Sequence, residues 1–229
     1  MAELPQGEEK VRAVRAMFDA IAPRYDLCNR ILTFGMDVGW RRKAVRSLGL
    51  PGGSRVADIA AGTGDLCREL AAAGYQPAGF DLSAGMLAHA RTTAPLVQAD
   101  GLRLPLAAAS IDGATCGFAL RNLADLGQFV DELARVVRPG GRVALLEVAE
   151  PENPVLRRGH ALYFAKVVPV VGGLLSDAAA YRYLPRSVAY LPPAPEMVAM
   201  IGDAGFTAVV RRMLSTGIAQ LLTATRARP

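Results

Sequence analysis

The chain has 229 residues, of which 52% are hydrophobic and 21% are charged, and its formal net charge at pH 7 is +5. This length and composition indicate a globular chain with one well-filled core and exclude wholesale disorder. Three cysteines without a Cys-x-x-Cys pair predict neither a disulfide framework nor a zinc site, so we expect no metal and a reducing compartment.

Charge and hydropathy leave several partner classes open. Residues 1–10 carry three glutamates and no apolar stretch, so we expect no secretory signal there. The longest apolar run without charge, 167–176, is shorter than the ~20 residues that span a bilayer. A mildly basic chain is compatible with an anionic membrane surface, an acidic ligand or nucleic acid, and the charge selects none of them.

Residues 1–50 predict a helical N-terminal extension. Apolar residues recur at helical spacing from Val11 to Ile21, so we expect an amphipathic helix over 8–21 that ends before Pro23. Two interpretations of the extension stay open. It either packs on the core with a basic solvated face, or it forms a lid over a cofactor and a substrate.

The segment after residue 50 predicts a ligand-binding turn. Val56 to Ile59 indicates a buried strand, the chain then passes Gly62 and Gly64, and a helix is expected from Asp65. Glycines at such a turn permit positive φ and let a ligand approach the main chain closely. A strand, a glycine turn and a helix N-terminus make a nucleotide-type pocket at the carboxyl end of a parallel strand.

The residues around this turn favour S-adenosylmethionine (SAM) over a dinucleotide. The dinucleotide fingerprint needs a third glycine where Cys67 stands, whereas Asp58 precedes Gly62 by four positions. Asp81 lies nineteen residues after Gly62, where an acidic side chain reaches ribose hydroxyls in such folds. SAM carries an ammonium and a sulfonium, so carboxylates near the turn suit it. The alternative is an ordinary strand-to-helix turn of an unrelated α/β protein.

The rest of the chain alternates strands and helices. We expect strands at 55–59, 78–81, 97–100, 111–118, 143–148, 206–213 and 218–225, and helices at 65–73, from Ser83 onward, at 123–137 and at 195–204. This order predicts a mostly parallel seven-stranded sheet with helices on both faces and an antiparallel hairpin at its C-terminal edge. Asp58, Asp81 and Asp100 each end a strand, so we expect them to converge at one edge of the sheet.

Several motifs resemble one enzyme family. They are MFDAIAPRYD at 17–26, NR at 29–30, WRR at 40–42, LRN at 120–122, RVVRPGGR at 135–142 and AYRYLP at 180–185. Together they resemble the ubiquinone/menaquinone-biosynthesis C-methyltransferases, from about residue 11 to residue 225. The YRYLP and LRN motifs lie outside the general SAM fold, so they are specific to this family.

The resemblance implies a class I SAM-dependent methyltransferase fold of Rossmann-like type over 51–229, with an apolar-basic insertion at 151–195 that faces substrate or membrane. The residues expected around SAM are Asp58, Gly62, Thr63, Gly64, Asp81, Leu82, Met86, Asp100, Gly101 and Gly117. The expected substrate contacts are Tyr25, Phe118, Tyr181 and Tyr183. Arg121 and Asn122 are the expected catalytic residues, and the alternative for Arg121 is a surface salt bridge.

The implied reaction is methyl transfer to a ring carbon of a reduced prenylated quinone, with demethylmenaquinol as the expected acceptor. Such a substrate lives in the bilayer, so we expect a cytoplasmic enzyme, peripheral to the inner face of the membrane and in transient contact with it. The segment around 156–168, with Arg157, Arg158 and Lys166, could form that surface or pack as a core helix with a basic outer face. His160 is a candidate proton acceptor or a solvated residue there. No nucleic-acid partner is expected, and a homodimer is left open.

Three departures from the family pattern concern the substrate. Ala119 stands for glycine in Gly-Leu-Arg-Asn, Ala149 for serine in Glu-Phe-Ser, and Leu222 for a histidine near the end. We expect all three on the substrate side of the cofactor. They leave open another small phenolic or polyketide-like acceptor, and a non-catalytic SAM-fold partner protein is the third hypothesis.

Overall fold

The computed structural model describes residues 6–175, 177, 180, 183 and 186–228. Its strands are β1 (Arg55–Ile59), β2 (Gln76–Asp81), β3 (Leu96–Gln98), β4 (Ile111–Gly117), β5 (Val137–Val148), β6 (Phe206–Leu214) and β7 (Ala219–Arg226). They form one seven-stranded sheet in the order β3-β2-β1-β4-β5-β7-β6. Strands β1 to β5 pair in parallel, and β7 pairs antiparallel with β5 and with β6. The predicted sheet and its C-terminal hairpin are confirmed.

Helices cover both faces of this sheet. They are α1 (Gly7–Ile21), α2 (Tyr25–Leu32), α3 (Met36–Leu48), α4 (Asp65–Ala72), α5 (Ala84–Ala88), α6 (Leu126–Val136), α7 (Pro154–Leu162), α8 (Val168–Leu175) and α9 (Ala194–Asp203). A π-helical turn, Tyr163–Val167, joins α7 to α8. Side chains of Ser83, Asp125 and Asn153 accept hydrogen bonds from the first N–H groups of α5, α6 and α7. Within the described residues, no helix combines the length and apolar character that crossing a membrane requires.

Strand β5 begins earlier than the sequence pattern predicts. Val137 already pairs with Ile111 of β4, and the next regular pair joins Arg142 to Gly113. Residues 138–141 therefore bulge out between two paired positions. The Pro-Gly-Gly signal does end helix α6 at Val136, as expected, but the backbone returns to the sheet at once because β4 offers it a partner.

Two apolar layers enclose the sheet. On one face, Trp40 and Leu48 of α3 pack with Leu70 of α4. On the other face, Phe129 of α6 and Ile201 of α9 belong to the larger cluster. Because helices bury both faces of the parallel strands, a ligand site can open only beyond the strand ends.

A cluster of charged side chains attaches α2 and α3 to the start of α4. Asp37 accepts hydrogen bonds from Arg30 and Arg41. Both arginines also lie 3.2 Å from the Oδ2 atom of Asp65, which pairs with Arg68 as well. Asp37, Arg41 and Asp65 are buried. Breaking one of these pairs would leave a buried charge without its partner, which is strongly destabilising.

We expect Asp37→Asn to lower the free energy of unfolding by about 3 kcal/mol, because the amide keeps the shape but removes the charge that faces buried Arg41. Glu8→Gln is the matched control, since Glu8 pairs with Arg12 at the exposed surface and should contribute little. Urea denaturation of both variants and the wild type measures the difference. Equal stability of all three proteins would show that the cluster does not hold the helices.

Candidate active site

A first cavity, named here the turn cavity, opens at the carboxyl ends of β1, β2 and β4. Its wall includes Gly62 after β1, Asp81 and Leu82 at the end of β2, and Gly117 at the end of β4. Met86 of α5 and the loop residues Asp100 and Gly101 complete that side, whereas Val11, Val14, Arg15 and Phe18 of α1 close the other. Seven of the ten residues expected around SAM therefore share one cavity.

The glycine turn has the backbone that the sequence predicts. Gly62 and Gly64 have φ of 55° and 82°, a region that other residues seldom adopt. A Cβ atom at Gly64 would also lie 2.7 Å from Cγ2 of Thr92. Glycine is therefore required at Gly64 for both conformation and space. Gly117 is close to α4 as well, since a Cβ there would lie 2.8 Å from Cδ1 of Leu66.

The Asp81 carboxylate accepts a hydrogen bond from the glycine turn and also lines the turn cavity. Its Oδ2 accepts a hydrogen bond from the Gly62 N–H at 2.7 Å, and its Oδ1 accepts one from the Ser83 N–H at 2.8 Å. Burial raises the pKa of Asp81, and these two N–H groups oppose the rise. An ionised carboxylate has about four acceptor positions, so these bonds leave acceptor capacity for a ligand hydroxyl.

Asp58 does not join Asp81 and Asp100, which corrects the expectation that three strand-end acids share one site. It is buried behind the turn, where it accepts hydrogen bonds from Thr115 Oγ1 at 2.8 Å and from Cys67 Sγ at 3.5 Å. Burial raises its pKa to about 7. Its side chain points between β4 and α4, so among the described residues it supports the turn and does not line the cavity.

Thr63 and Gly64 also lie behind the wall that faces the cavity. Thr63 is buried, and its hydroxyl donates a hydrogen bond to Asp26 of α2. Neither residue is among the described residues that line the turn cavity. The direct contacts of Thr63 and Gly64 with the cofactor stay a prediction, and the contacts that the structure shows for these residues are structural. They fix the turn and link it to the N-terminal helices.

A second cavity, the inner cavity, adjoins the first. Its wall contains Arg121 and Tyr183, together with Asn29, Asp37, Trp40 and Arg41 from α2 and α3. Four residues line both cavities: Phe18, Tyr25, Phe118 and Asn122. The predicted catalytic and substrate residues therefore all line the inner cavity, with the exception of Tyr181, which lies outside the described residues.

Phe118 forms the partition between the two cavities. Its φ is 60°, an uncommon and strained value for a residue with a bulky side chain. The ring lies 6.1 Å from the Trp40 ring, and the Arg41 guanidinium carbon is 5.3 Å from its centre. Packing against α3 thus stabilises a backbone conformation that directs this ring into the site.

Arg121 is buried, so its interpretation as a surface salt bridge is wrong. Its Nη1 pairs with Glu147 Oε1 and donates to Phe118 O at 2.9 Å, while its Nε donates to Ser187 Oγ at 3.1 Å. Glu147 is fully buried and also accepts the N–H of Val148. Within the described part of the chain, the Nη2 atom of Arg121 makes no hydrogen bond.

Asn122 offers a donor at the boundary of the cavities. Its Oδ1 accepts a hydrogen bond from the Tyr183 hydroxyl at 3.3 Å. Its Nδ2 is buried and has no hydrogen-bond partner among the described residues. Burial raises the pKa of Tyr183 to about 12, which keeps that phenol protonated as a donor. Because buried polar groups are normally paired, the Asn122 amide is suited to a ligand oxygen.

The sequence reasoning left out the contributions of α2 and α3. Asn29, Trp40 and Arg41 line the inner cavity, and the NR and WRR motifs that contain them were the available signal. Asp19 of α1 accepts the Gly85 N–H at 2.9 Å and the Ser83 hydroxyl, which attaches α1 to α5. Residues of all three N-terminal helices therefore reach the site.

The three family departures occupy different places. Ala119 lines the turn cavity. Ala149 is buried after β5 and, like Leu222, is not among the described residues of either cavity wall. Leu222 pairs with Leu145 and belongs to the apolar core. The expectation that all three lie on the substrate side of the cofactor is wrong for Leu222, because β7 lies inside the sheet and directs Leu222 into the core.

Sequence comparison finds relatives that match nearly the whole chain. The sequence model of the ubiE/COQ5 methyltransferase family matches residues 5–226. A Syntrophotalea carbinolica protein named ubiquinone/menaquinone biosynthesis C-methyltransferase UbiE is 44% identical, and the match covers 94% of both chains. A Roseiflexus castenholzii protein named demethylmenaquinone methyltransferase is 39% identical, with 96% of both chains covered.

Solved structures share the fold at low sequence identity. A SAM-dependent methyltransferase of Thermotoga maritima matches with a TM-score of 0.66 at 18% identity, covering 93% of this chain and 99% of the other. Phosphoethanolamine N-methyltransferase 2 of Haemonchus contortus, solved with SAM, gives 0.62 at 14% identity, covering 82% and 52%. This likeness concerns the fold alone, and it confirms the predicted class I methyltransferase fold.

We expect Asp81→Ala to weaken the binding of SAM, the predicted cofactor, by about 2–3 kcal/mol, the range for hydrogen bonds to a charged group. Asp112→Ala is the matched control, because Asp112 stands at the opposite end of a parallel strand and pairs with Arg138. Titration calorimetry with SAM measures both. If Asp81→Ala bound SAM as the wild type does, the ribose would lie elsewhere.

Proposed function

Since this chain belongs to the ubiE/COQ5 methyltransferase family, we propose that it transfers a methyl group from SAM to a ring carbon of demethylmenaquinol. The family makes the chain a SAM-dependent methyltransferase of quinone biosynthesis. The reduced prenylated naphthoquinone as acceptor is our own inference. Its main support is the boundary between the turn cavity and the inner cavity, where Arg121 and Asn122 stand beside Phe118.

Two adjoining cavities suit a reaction between two ligands. The turn cavity carries Asp81, which has acceptor capacity for a ribose hydroxyl, and the methyl donor would lie there with its sulfonium toward Phe118. The inner cavity would hold the quinol ring. Methyl transfer needs the acceptor carbon, the methyl group and the sulfur in line, with no water between them, and a shared wall of aromatic rings favours both conditions.

The chemistry requires the hydroquinone form of the ring. When bound, SAM supplies an electrophilic methyl group. Loss of a phenolic proton moves electron density onto the ring carbon that accepts this methyl. Arg121 would stabilise the phenolate oxygen through Nη2, and Asn122 Nδ2 would donate to the same oxygen. A guanidinium stays protonated in proteins, so Arg121 is unsuitable as the proton acceptor.

Water is the simplest proton acceptor in this arrangement. Two carboxylates lie near the inner cavity, Glu147 behind Arg121 and Asp37 between Arg30 and Arg41. Both already accept hydrogen bonds from arginine side chains, so neither has an oxygen directed freely at a substrate. We therefore assign the proton to a water molecule in the inner cavity.

The position of the departures favours a quinol over another phenol. Ala149 and Leu222 are not among the described residues of either cavity wall, so only Ala119 remains as a reason to expect a changed acceptor. One relative is named for ubiquinone and menaquinone biosynthesis and the other for demethylmenaquinone. Both names refer to quinone rings, and they differ in which quinone is methylated. A different small phenolic acceptor is the second candidate.

Membrane contact and a lid belong to the same proposal. Helix α7 has no buried residue, so the first half of the segment around 156–168 does not pack as a core helix, whereas its last residue, Val168, is buried in a cluster against which Tyr163 and Phe164 pack. The exposed Val155 and Leu156 of α7 stand beside Arg157 and Arg158, a pairing suited to an anionic bilayer surface. We infer a cytoplasmic enzyme that touches the inner face of the membrane, with residues 1–50 as a lid over both ligands. A homodimer stays a prediction.

The test of the function is product identification with a reduced and an oxidised acceptor. We expect the purified protein with SAM to methylate demethylmenaquinol at carbon and to turn over little when the quinone is kept oxidised. Simple phenols are the comparison substrates. Equal rates with and without dithionite, or methylation at oxygen, would contradict the mechanism.

Arg121 can be tested without leaving Glu147 unpaired. We expect the double variant Arg121→Met with Glu147→Gln to bind SAM normally and to lose ~10²–10³ in kcat, as for the removal of a preorganised donor. Arg121→Lys should retain part of the rate, because a cation still lowers the phenol pKa. A pH–rate profile beside SAM calorimetry checks both, and near-wild-type kcat in the double variant would rule out the role of Arg121.

A further inference from the structure

A third space, the apolar groove, continues from the inner cavity to the surface. It runs between the turn that joins α2 to α3 and the segment formed by α7 and the π-helical turn. Its outer wall includes Phe34, Met36, Val155, Leu156 and Tyr163. The apolar groove and the inner cavity share Leu32, Thr33, Trp40, Val148 and Phe164. The three spaces therefore follow one another, each sharing part of its wall with the next.

Polar side chains of the groove wall donate hydrogen bonds to oxygen atoms of the protein itself. Tyr163 donates its hydroxyl to Leu32 O at 2.9 Å, and the Trp40 indole N–H donates to Ser215 Oγ at 2.8 Å. The Thr216 hydroxyl donates to the adjacent Ser215 carbonyl at 2.6 Å. No acidic, lysine or arginine side chain is among the described residues that line the groove. A ligand there would meet hydrocarbon surface almost everywhere.

His160 differs from the other polar side chains of the groove wall, because one of its ring nitrogens has no hydrogen-bond partner among the described residues. Its ring lies 4.3 Å from the Phe164 ring, and its Nε2 is buried without a hydrogen-bond partner in the described structure. Burial lowers the pKa of His160, and Glu150 opposes the shift. His160 is therefore only partly exposed, with the Nε2 edge of its ring turned away from solvent. A neutral ring keeps this part of the groove uncharged.

The outer end of the groove exposes large apolar side chains. Phe34 is 77% exposed and Val155 is 76% exposed, on opposite sides of the opening. Phe34 also has φ of 52°, which is unfavourable for an aromatic residue. An exposed phenylalanine in a strained conformation, 6.1 Å from the Tyr163 ring, indicates that this edge is adapted to an apolar ligand.

We propose that the apolar groove holds the first isoprenoid units of the substrate tail and directs the rest of the tail outward past Phe34 and Val155. The inference rests on the proposed function. A prenylated quinol bound beside SAM has three parts in series, the methyl donor, the ring and the hydrocarbon tail. The protein has three spaces in the same series, and their walls become apolar in the same direction. A quinol ring without a tail would leave the third space, the apolar groove, empty.

Gly159 gives a direct way to fill the groove. It lies on α7 in the groove wall, and a Cβ atom there would meet nothing within 4 Å. We expect Gly159→Trp to raise KM for demethylmenaquinol with a long tail by about tenfold or more, because the indole occupies the space of an isoprenoid unit. The kinetic constants for tailless naphthoquinol should not change. Gly202→Trp is the matched control, because Gly202 lies on α9 outside the groove wall and a Cβ atom there also meets nothing within 4 Å, so this variant should behave as the wild type with both substrates.

The assay is run in detergent micelles and again with phospholipid vesicles. A selective rise in KM for the tailed quinol in both media supports the proposal. Equal effects on both quinols, or no effect on either, would overturn it. An effect seen only with vesicles would mean that the groove faces lipid and does not hold the tail. Wild-type turnover of the tailless quinol tests the proposed function separately, because it does not involve the groove.

Discussion

The pairing of Asp37 and Asp65 with Arg30 and Arg41 is the interaction on which both cavities depend. Asp65 opens α4 directly after the glycine turn, whereas Asp37 and Arg41 line the inner cavity from α3. One cluster therefore fixes the turn that faces the cofactor and the wall that faces the substrate. Charges removed from water are stable only when paired, so a shift of either wall would have to break the cluster.

The end of β4 depends on this arrangement. Gly117 faces the turn cavity, Phe118 separates the cavities, and Arg121 and Asn122 follow within one short turn. The strained backbone of Phe118 persists because α3 packs against its ring, and Arg121 is held by Glu147 from the neighbouring strand. Donor and acceptor sites are thus built on adjacent residues, with little freedom to move apart.

Local patterns predicted the strands, the helices and the glycine turn, because hydrophobic period and glycine placement are local properties. They did not separate Asp58 from Asp81. Both end a strand, and only the side-chain direction in the folded sheet sends one behind the turn. Leu222 was misplaced because its surroundings come from pairing with β5, far away in sequence. The apolar groove was equally hidden, since its walls come from α2–α3 and α7.

The position of β7 has a consequence for the order of folding. It follows β6 in the chain, yet it lies between β5 and β6 in the sheet. Among the described strands β6 pairs only with β7, so it can join the sheet only through β7, and the pairing that attaches both strands is the one between β7 and β5. Long-range pairing of this kind is slow and leaves apolar strand edges open meanwhile. The stage at which the edge of β5 is still unpaired is thus the one at which the folding chain is most prone to aggregate.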